Sequence, residues 1–373
     1  MTSAYKAIAK GYYRRKDFYA AAQYVRKHLD IHPEDHDAWI NYGKVLTNTG
    51  QFTCAEHAIL EARRLDANPE YLLDLQVLYF LTNNTPKYEA VVAQIEELIP
   101  DNPKFIFNRA WDKIHFGDTY NGWADLEAGR KAGIFGHCHD DWPEQRLTDI
   151  SQVKGNRVAI VGEGGLGDEI IGARYANTIR ELGGTPILIL QNPLHDILGH
   201  LGECRSHDDR GEFDYYTPAL GATAIFKTIP NENFMFPKPQ YVAKHRIESD
   251  KIKVGICWHG NTSYEWENIR GVAKEKLTAL ASDKIELYSL QQDDTDLDLK
   301  TWDDTMGIIA GLDMIVSTCT SIVHVAGAMG KRVLVLLSNS PYYTWVGKEK
   351  WYQDVTTMPK DSDNALIEEW ICQ

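Results

Sequence analysis

Apolar residues along this 373-residue chain recur in two rhythms, and the change from one to the other divides it. Over the first third the spacing is helical. Phe18 is followed by Ala20, Ala21 and Ala22, and the stretch ends at Leu29-Asp30-Ile31-His32-Pro33. Phe52 is followed by Ala55 and Ala58 and ends at Leu65-Asp66-Ala67-Asn68-Pro69; Tyr88 is followed by Ala90 and Ala93 and ends at Ile99-Pro100-Asp101-Asn102-Pro103. The aromatics lie 34 and 36 residues apart and the closing prolines 36 and 34. A period of about 34 residues is that of tetratricopeptide helix pairs. The aromatics and alanines read as the interface within each pair, Gly43 and Gly50 as its small-residue positions, and residues 105–130 as a fourth, degenerate unit. Stacked antiparallel helix pairs are therefore predicted from about residue 5 to residue 130.

The segment 136–143, Gly-His-Cys-His-Asp-Asp-Trp-Pro, breaks this pattern and reads as a linker. Its His137, Cys138, His139 and Asp140 stand too close together for a usual zinc set, which has a turn between ligand pairs. From Arg157 the rhythm becomes short apolar runs alternating with helical stretches. Arg157–Val161 reads as a strand running into a glycine-rich turn, Gly162-Glu163-Gly164-Gly165-Leu166-Gly167-Asp168-Glu169. A helix to Leu182 and a strand over Pro186–Gln191 follow. Further on, Lys253–Trp258, Ile285–Leu290, Met314–Val316 and Val333–Leu337 read as strands, with helices over 304–312 and from Ile322 to Gly330. Alternation of this kind implies parallel sheets, whose ligands sit at the carboxyl ends of the strands. Those ends carry the glycine turn, the His259–Arg270 loop, Gln291, the Thr320 turn and the Ser338–Trp345 loop. Their convergence predicts a site between two α/β halves.

Two of these turns suggest chemistry. Between Met314–Val316 and the helix that follows, Ser317-Thr318-Cys319-Thr320-Ser321 is a polar turn entering a helix. Thr320 or Ser321 can cap that end, and outward backbone N–H groups with the helix dipole favour an anion, a phosphate-bearing ligand above all. An ordinary capped helix accounts for the same residues equally well. The glycine turn lets a ligand approach the backbone closely, but it is neither the dinucleotide fingerprint nor a P-loop. Asp168 stands where the turn meets the helix and reads as an N-cap, a role compatible with chemistry.

The charge balance, 39 Lys and Arg against 53 Asp and Glu for a net −14, speaks against wholesale binding to nucleic acid or an anionic membrane. The first helix pair departs from it, with Lys6, Lys10, Arg14, Arg15, Lys16, Arg26 and Lys27 against Asp17 and Asp30. That face reads as a solvated surface or as a docking face for an anionic or protein partner. The six cysteines form no C-x-x-C pair, the first residues contain no signal-peptide core, and no apolar run is long enough for a membrane span. Reduced thiols and a cytoplasmic protein are the expectation. Asp293-Asp294-Thr295-Asp296 reads as an exposed acidic loop, not a metal site.

Several segments together resemble tetratricopeptide proteins that end in a heptosyltransferase-like module of glycosyltransferase family 9. They are Gly122-Trp123 with Leu126-Glu127, Gly162–Ala176, Val254–Asn261 with Arg270, Ser289-Leu290-Gln291, Asp303–Lys331 and Trp351–Val355. The resemblance implies an α + α/β fold: helical repeats over 1–135, a linker over 136–155, and a compact GT-B-like pair of Rossmann-type halves over 156–248 (acceptor side) and 249–373 (donor side). It implies a metal-independent inverting transfer of a hexosyl or pentosyl group from a nucleotide-sugar donor, a substrate and not a cofactor, to a hydroxyl. Asp168 matches the family's general base, in a turn with Gly164, Gly165 and Gly167. Thr320, Ser321 and His324 match its donor-diphosphate turn, with Gln291, Asn261 and Arg270 on the donor side. Cys319, also counted with the donor site, stands where many members have aspartate. That substitution sustains an alternative in which a non-catalytic module senses a nucleotide or sugar and the repeats bind protein. The acceptor stays open between a protein, a glycan and a modified base in nucleic acid.

Overall fold

The computed structural model describes residues 4–134, 136, 139, 142–262, 267–338, 341–347 and 349–373. His137, Cys138, Asp140 and Asp141 of the expected linker, residues 263–266 of the His259–Arg270 loop, and Asn339 and Ser340 of the Ser338–Trp345 loop lie outside the described residues. Contacts divide the chain into two compact units: residues 1–108 with 261–271 and 338–340, and residues 109–260 with 272–337 and 341–373.

Helices come first: α1 (Ala4–Arg14), α2 (Phe18–Leu29), α3 (His36–Asn48), α4 (Phe52–Leu65), α5 (Tyr71–Leu81), α6 (Thr85–Leu98), α7 (Pro103–His115) and α8 (Thr119–Lys131). Their starts follow from capping chemistry. The side chains of Asp17, Asp35 and Asn84 accept from the N–H groups of Ala20, Ala38 and Lys87, and Pro103 opens α7 where a missing N–H costs nothing. Within the first unit, Ile59, Leu72, Leu75, Leu78, Ile95 and Phe105 share one core. Gly43 lets α3 and α4 close up, since a Cβ there would stand 2.5 Å from Ile59 Cγ1.

The second unit holds two five-stranded sheets. The first is built from β1 (Gln145–Arg146), β2 (Arg157–Val161), β3 (Thr185–Ile189), β4 (Glu203–Arg205) and β5 (Tyr215–Pro218), in the order β1-β5-β2-β3-β4. The second is built from β6 (Ile252–Cys257), β7 (Ile285–Ser289), β8 (Met314–Thr318), β9 (Arg332–Leu337) and β10 (Val355–Pro359), in the order β10-β9-β8-β6-β7. Every strand pair is parallel. The central strands, β2, β3, β6, β8 and β9, are largely buried on both faces, which is why they read as near-continuous apolar runs. Val254, Ile256, Met314, Val316, Leu334 and Leu336 centre the second core; Ala159, Val161, Ile187 and Ile189 centre the first with Phe213 and Tyr216. The architecture is the α + α/β class, helices followed by two Rossmann-type parallel sheets.

Three local expectations are corrected. The helix after the glycine turn is two, Leu166–Ala173 and Tyr175–Glu181. Apolar periodicity runs through the junction unaltered, but Arg174 Nε donates to the Ile171 carbonyl (3.0 Å), which a continuous helix would use. The helix expected over 304–312 spans Trp302–Gly311, because Thr301 and Asp304 form a capping box. No side-chain cap bond closes the Ser321–Ala328 helix: Thr320 occupies the N-cap position, yet its hydroxyl pairs with Ser317 Oγ at 3.3 Å. Among the described residues no helix is long and apolar enough to cross a membrane, and Cys54, Cys204, Cys257, Cys319 and Cys372 are free thiols.

One ion-pair network fastens α8 to the glycine turn. Arg130 donates bidentately to Glu163, Nε–Oε1 at 2.8 Å and Nη2–Oε2 at 2.7 Å, and reaches Glu127 at 3.2 Å. Glu127 also accepts from Arg146 of β1 at 2.6 Å. The Arg130 and Glu163 side chains are 1% and 4% exposed, so removing Arg130 leaves the buried Glu163 charge without its cationic partner. Arg130→Met is expected to lower the unfolding free energy by about 3–5 kcal/mol, and adding Glu163→Gln to recover part of it. Urea unfolding measures both; a loss below about 1 kcal/mol in the single variant would show that the pair is no bracket.

Candidate active site

The glycine turn begins as β2 leaves its sheet. Gly164 has φ +74°, and a Cβ there would stand 2.5 Å from Asp168 Oδ2, so neither backbone nor space admits a side chain. Gly165 is the N-cap of the Leu166–Ala173 helix, and Asp168 is its third residue, not the N-cap expected. The Asp168 side chain turns back to accept from the Gly165 N–H at 2.9 Å. Its other oxygen, Oδ1, accepts a short hydrogen bond from the Tyr342 hydroxyl and one of 3.3 Å from Tyr343. Burial is the larger influence on this carboxyl and raises its pKa; the hydrogen bonds from Tyr342, Gly165 and Tyr343 pull the other way without cancelling it. Burial, then the neighbouring Asp168 charge, holds both phenols well above the ordinary tyrosine range, so they remain donors.

The Thr320 turn lies beside the helix that carries this carboxylate. A Cβ on Gly167 would stand 2.9 Å from His324 Cδ2 and 3.7 Å from Ser321 Cα. His324 is 2% exposed, stacks on Trp345 (centroids 5.3 Å apart, planes 12° apart) and faces the Tyr352 hydroxyl across 3.0 Å from Nδ1. Cys319, also buried, accepts from Trp345 Nε1 at 3.0 Å. Arg174, 1% exposed, donates to the carbonyls of Pro230 (2.6 Å) and Trp351 (2.7 Å) and lies 4.7 Å from the centre of the Tyr352 ring. The structure thus brings Asp168, Gly167, Cys319, Thr320, Ser321 and His324 into one neighbourhood within the second unit.

The remaining site residues make contacts of their own. Gln291, also in the second unit, fixes the β6 and β7 ends: its Oε1 accepts from the His259 N–H (3.2 Å) and Cys257 Sγ (3.4 Å), and its Nε2 donates to Asp293 (2.9 Å). Asn261 and Arg270 belong to the first unit, where Asn261 is exposed and Arg270 Nε donates to Glu267 at 2.9 Å. Two open grooves lie at strand carboxyl ends. One of about 430 Å³ is lined by Trp258, Lys274, Ser289, Asp293, Asp294 and Thr295; one of about 610 Å³ by Asn192, His195, Arg205, Ser206 and Asp209 among others. Neither includes Asp168. The acidic loop is tied down on one of them, Asp294 accepting from Lys274 at 2.6 Å.

Tyr342, Tyr343 and Trp345 are the residues of the candidate site that sequence reasoning missed. The available signal was aromatic density, Tyr342-Tyr343-Thr344-Trp345, in a loop already placed at a strand's carboxyl end.

No family model matches the chain. It is 23% identical over 402 residues to protein FlbA of Caulobacter vibrioides, covering 90% of this chain and 66% of FlbA, so it spans just under two thirds of that protein. Among solved structures it is similar to the glycosyl transferase family 9 protein of Veillonella parvula (TM-score 0.43, 9% identity, 56% of this chain and 87% of that one). It is likewise similar to the Escherichia coli ADP-heptose lipopolysaccharide heptosyltransferase II (TM-score 0.42, 11% identity, 57% and 96%). Over 91% of its length it is similar to an O-GlcNAc transferase of Thermobaculum terrenum (TM-score 0.38, 14% identity, 84% of that chain).

The raised Asp168 carboxyl has a thermodynamic consequence. Its folded pKa lies above its unfolded one, so its contribution to stability is fully present below the unfolded value and is lost as pH rises through the folded value. Asn does not titrate. The stability of Asp168→Asn relative to the native chain is therefore expected to grow from acidic toward neutral pH. Parallel denaturant curves across that range check it, and a difference that shrinks with rising pH would reverse the assigned direction.

Proposed function

We propose that this chain is an inverting glycosyltransferase that moves a hexosyl or pentosyl group from a nucleotide-sugar donor to a hydroxyl acceptor. The observation that carries the reading is the Asp168 carboxylate, which holds hydroxyl donors on Oδ1 beside the N-terminus of the Ser321–Ala328 helix. An inverting transfer needs a base at the acceptor hydroxyl and positive potential at the departing phosphate. Asp168 supplies the base. Burial sets its carboxyl above the ordinary range, nearer the working pH at which a general base is most effective. The first N–H groups of the Ser321–Ala328 helix have no intrahelical partner and face the diphosphate, whose developing charge they stabilise without a metal. His324 is fixed on the same helix by Trp345 and Tyr352, so it enters with its orientation set. Donor-side roles for Gln291, Cys319, Asn261 and Arg270 rest on the family resemblance alone.

Asp168→Asn keeps the size of the side chain and an acceptor for the Gly165 N–H but cannot take a proton. Turnover is expected to fall by about 10²–10⁴-fold, the usual worth of a positioned base, with donor affinity close to native. A panel of nucleotide sugars screened by thermal shift identifies the donor, because a ligand that binds only the folded state raises the melting temperature. Near-native turnover in the variant would remove Asp168 from the chemistry and favour the sensing alternative.

Ser321 tests the anion site separately. Its backbone lies at the helix N-terminus, against the glycine turn. Ser321→Phe is expected to weaken donor binding at least tenfold by calorimetry while leaving the fold intact. Unchanged affinity would place the diphosphate elsewhere.

A further inference from the structure

The position that an acceptor hydroxyl must take is already held by a hydroxyl. An acceptor has to donate to the Asp168 carboxylate before its proton can move. Oδ2 is engaged by the Gly165 N–H, which leaves Oδ1, and there the Tyr342 and Tyr343 phenols arrive from the segment after β9.

The two phenols are not equivalent. Tyr343 is 4% exposed; its ring stacks on Trp111 (5.6 Å, 26°) and meets Trp123 edge-on (4.8 Å, 88°) and Trp351 (5.6 Å). It is locked in an aromatic core. Tyr342 keeps part of its surface exposed, and among the described aromatic residues only the Tyr343 ring packs on it, at 4.2 Å. The neighbourhood completes the constellation: Gly167, the residue before Asp168, abuts Ser321 and His324 at the helix end assigned to the diphosphate. A partly exposed tyrosine, the carboxylate that accepts its hydrogen bond and the helix end assigned to the diphosphate therefore lie together.

We propose that Tyr342 is itself a glycosyl acceptor, a self-modification site at which the sugar of a nucleotide-sugar donor is transferred to its Oη. The proposal rests on the transferase reading given above. In the step, Tyr342 Oη attacks the anomeric carbon and a carbon–oxygen bond forms. The bond from that carbon to the diphosphate oxygen breaks, and the nucleoside diphosphate leaves with the electron pair. The phenolic proton passes to Asp168 Oδ1. One sugar per chain is the stoichiometric limit, since a modified Tyr342 has no proton left to give.

The experiment uses the full chain with UDP-, GDP-, dTDP- and ADP-linked hexoses and pentoses. Thermal shift reads donor binding, intact mass reads transfer, and fragmentation of peptides locates the sugar. The expected result is one donor that raises the melting temperature and adds the mass of a single sugar, on Tyr342. Tyr342→Phe should gain no mass yet keep the donor-dependent shift, and Asp168→Asn should slow the addition by about 10²-fold or more. A donor that raises the melting temperature but leaves the mass unchanged, or a sugar on another residue, would overturn the proposal and leave the transferase reading standing. A full panel with no donor-dependent shift would bring down both.

Discussion

Three carboxylates in one glycine turn have to be satisfied at once, and the second unit is arranged around that requirement. Glu163, Asp168 and Glu169 are separated by a few residues but leave the turn in three directions. Glu163 is met by the guanidinium of Arg130. Asp168 is met by a backbone N–H and two phenols. Glu169, 1% exposed, accepts from the Gln191 backbone at 2.8 Å and its side chain at 3.2 Å. Buried charge is tolerated only where such partners exist. Each partner comes from a different part of the unit: α8, the end of the first sheet, and the loop after the last buried strand of the second. Among the three, Asp168 is the one met by phenols, and burial displaces its carboxyl upward. The turn thus gives three chemically similar residues three different sets of partners.

Aromatic side chains do much of the holding around the Thr320 turn. Trp345 spans it, donating to Cys319 with its indole N–H and stacking its ring on His324. Tyr352 closes the other side of His324, and burial moves its phenol up to about 12, so it stays protonated at any physiological pH. Arg174, from the first Rossmann-type half, lies over the Tyr352 and Trp351 rings while its guanidinium reaches two carbonyls. A thiol at 319 fits this setting: in so aromatic an enclosure it acts as a small acceptor for an indole N–H and carries no charge that would need a counterion.

What the sequence disclosed follows from the range over which each determinant acts. Strands buried on both faces announced themselves, because Val158–Val161 or Val333–Leu337 are apolar without any partner being known. The eight helices were legible from the roughly 34-residue recurrence. The strands β1, β4 and β5, two to four residues long, carry too few residues to set a period. The interruption at Arg174 is a side-chain effect on one carbonyl and leaves no trace in periodicity. At the site, Asp168 and the Thr320 turn stood out because glycine and small polar residues bracket them. Their partners did not: Tyr342 is 174 residues from Asp168, and nothing in its local sequence names a distant carboxylate.

That 174-residue separation also sets an order in time. Each parallel strand pair already requires a crossover, and contacts this distant form slowly because the chain must close a long loop before any reward arrives. The sheet holding the glycine turn can assemble from residues before 220, whereas the phenols that meet Asp168 come after β9. Between the synthesis of residue 220 and that of Tyr342, then, Asp168 can stand on a completed sheet without its tyrosines. The candidate site is complete only once the second half has folded onto the first.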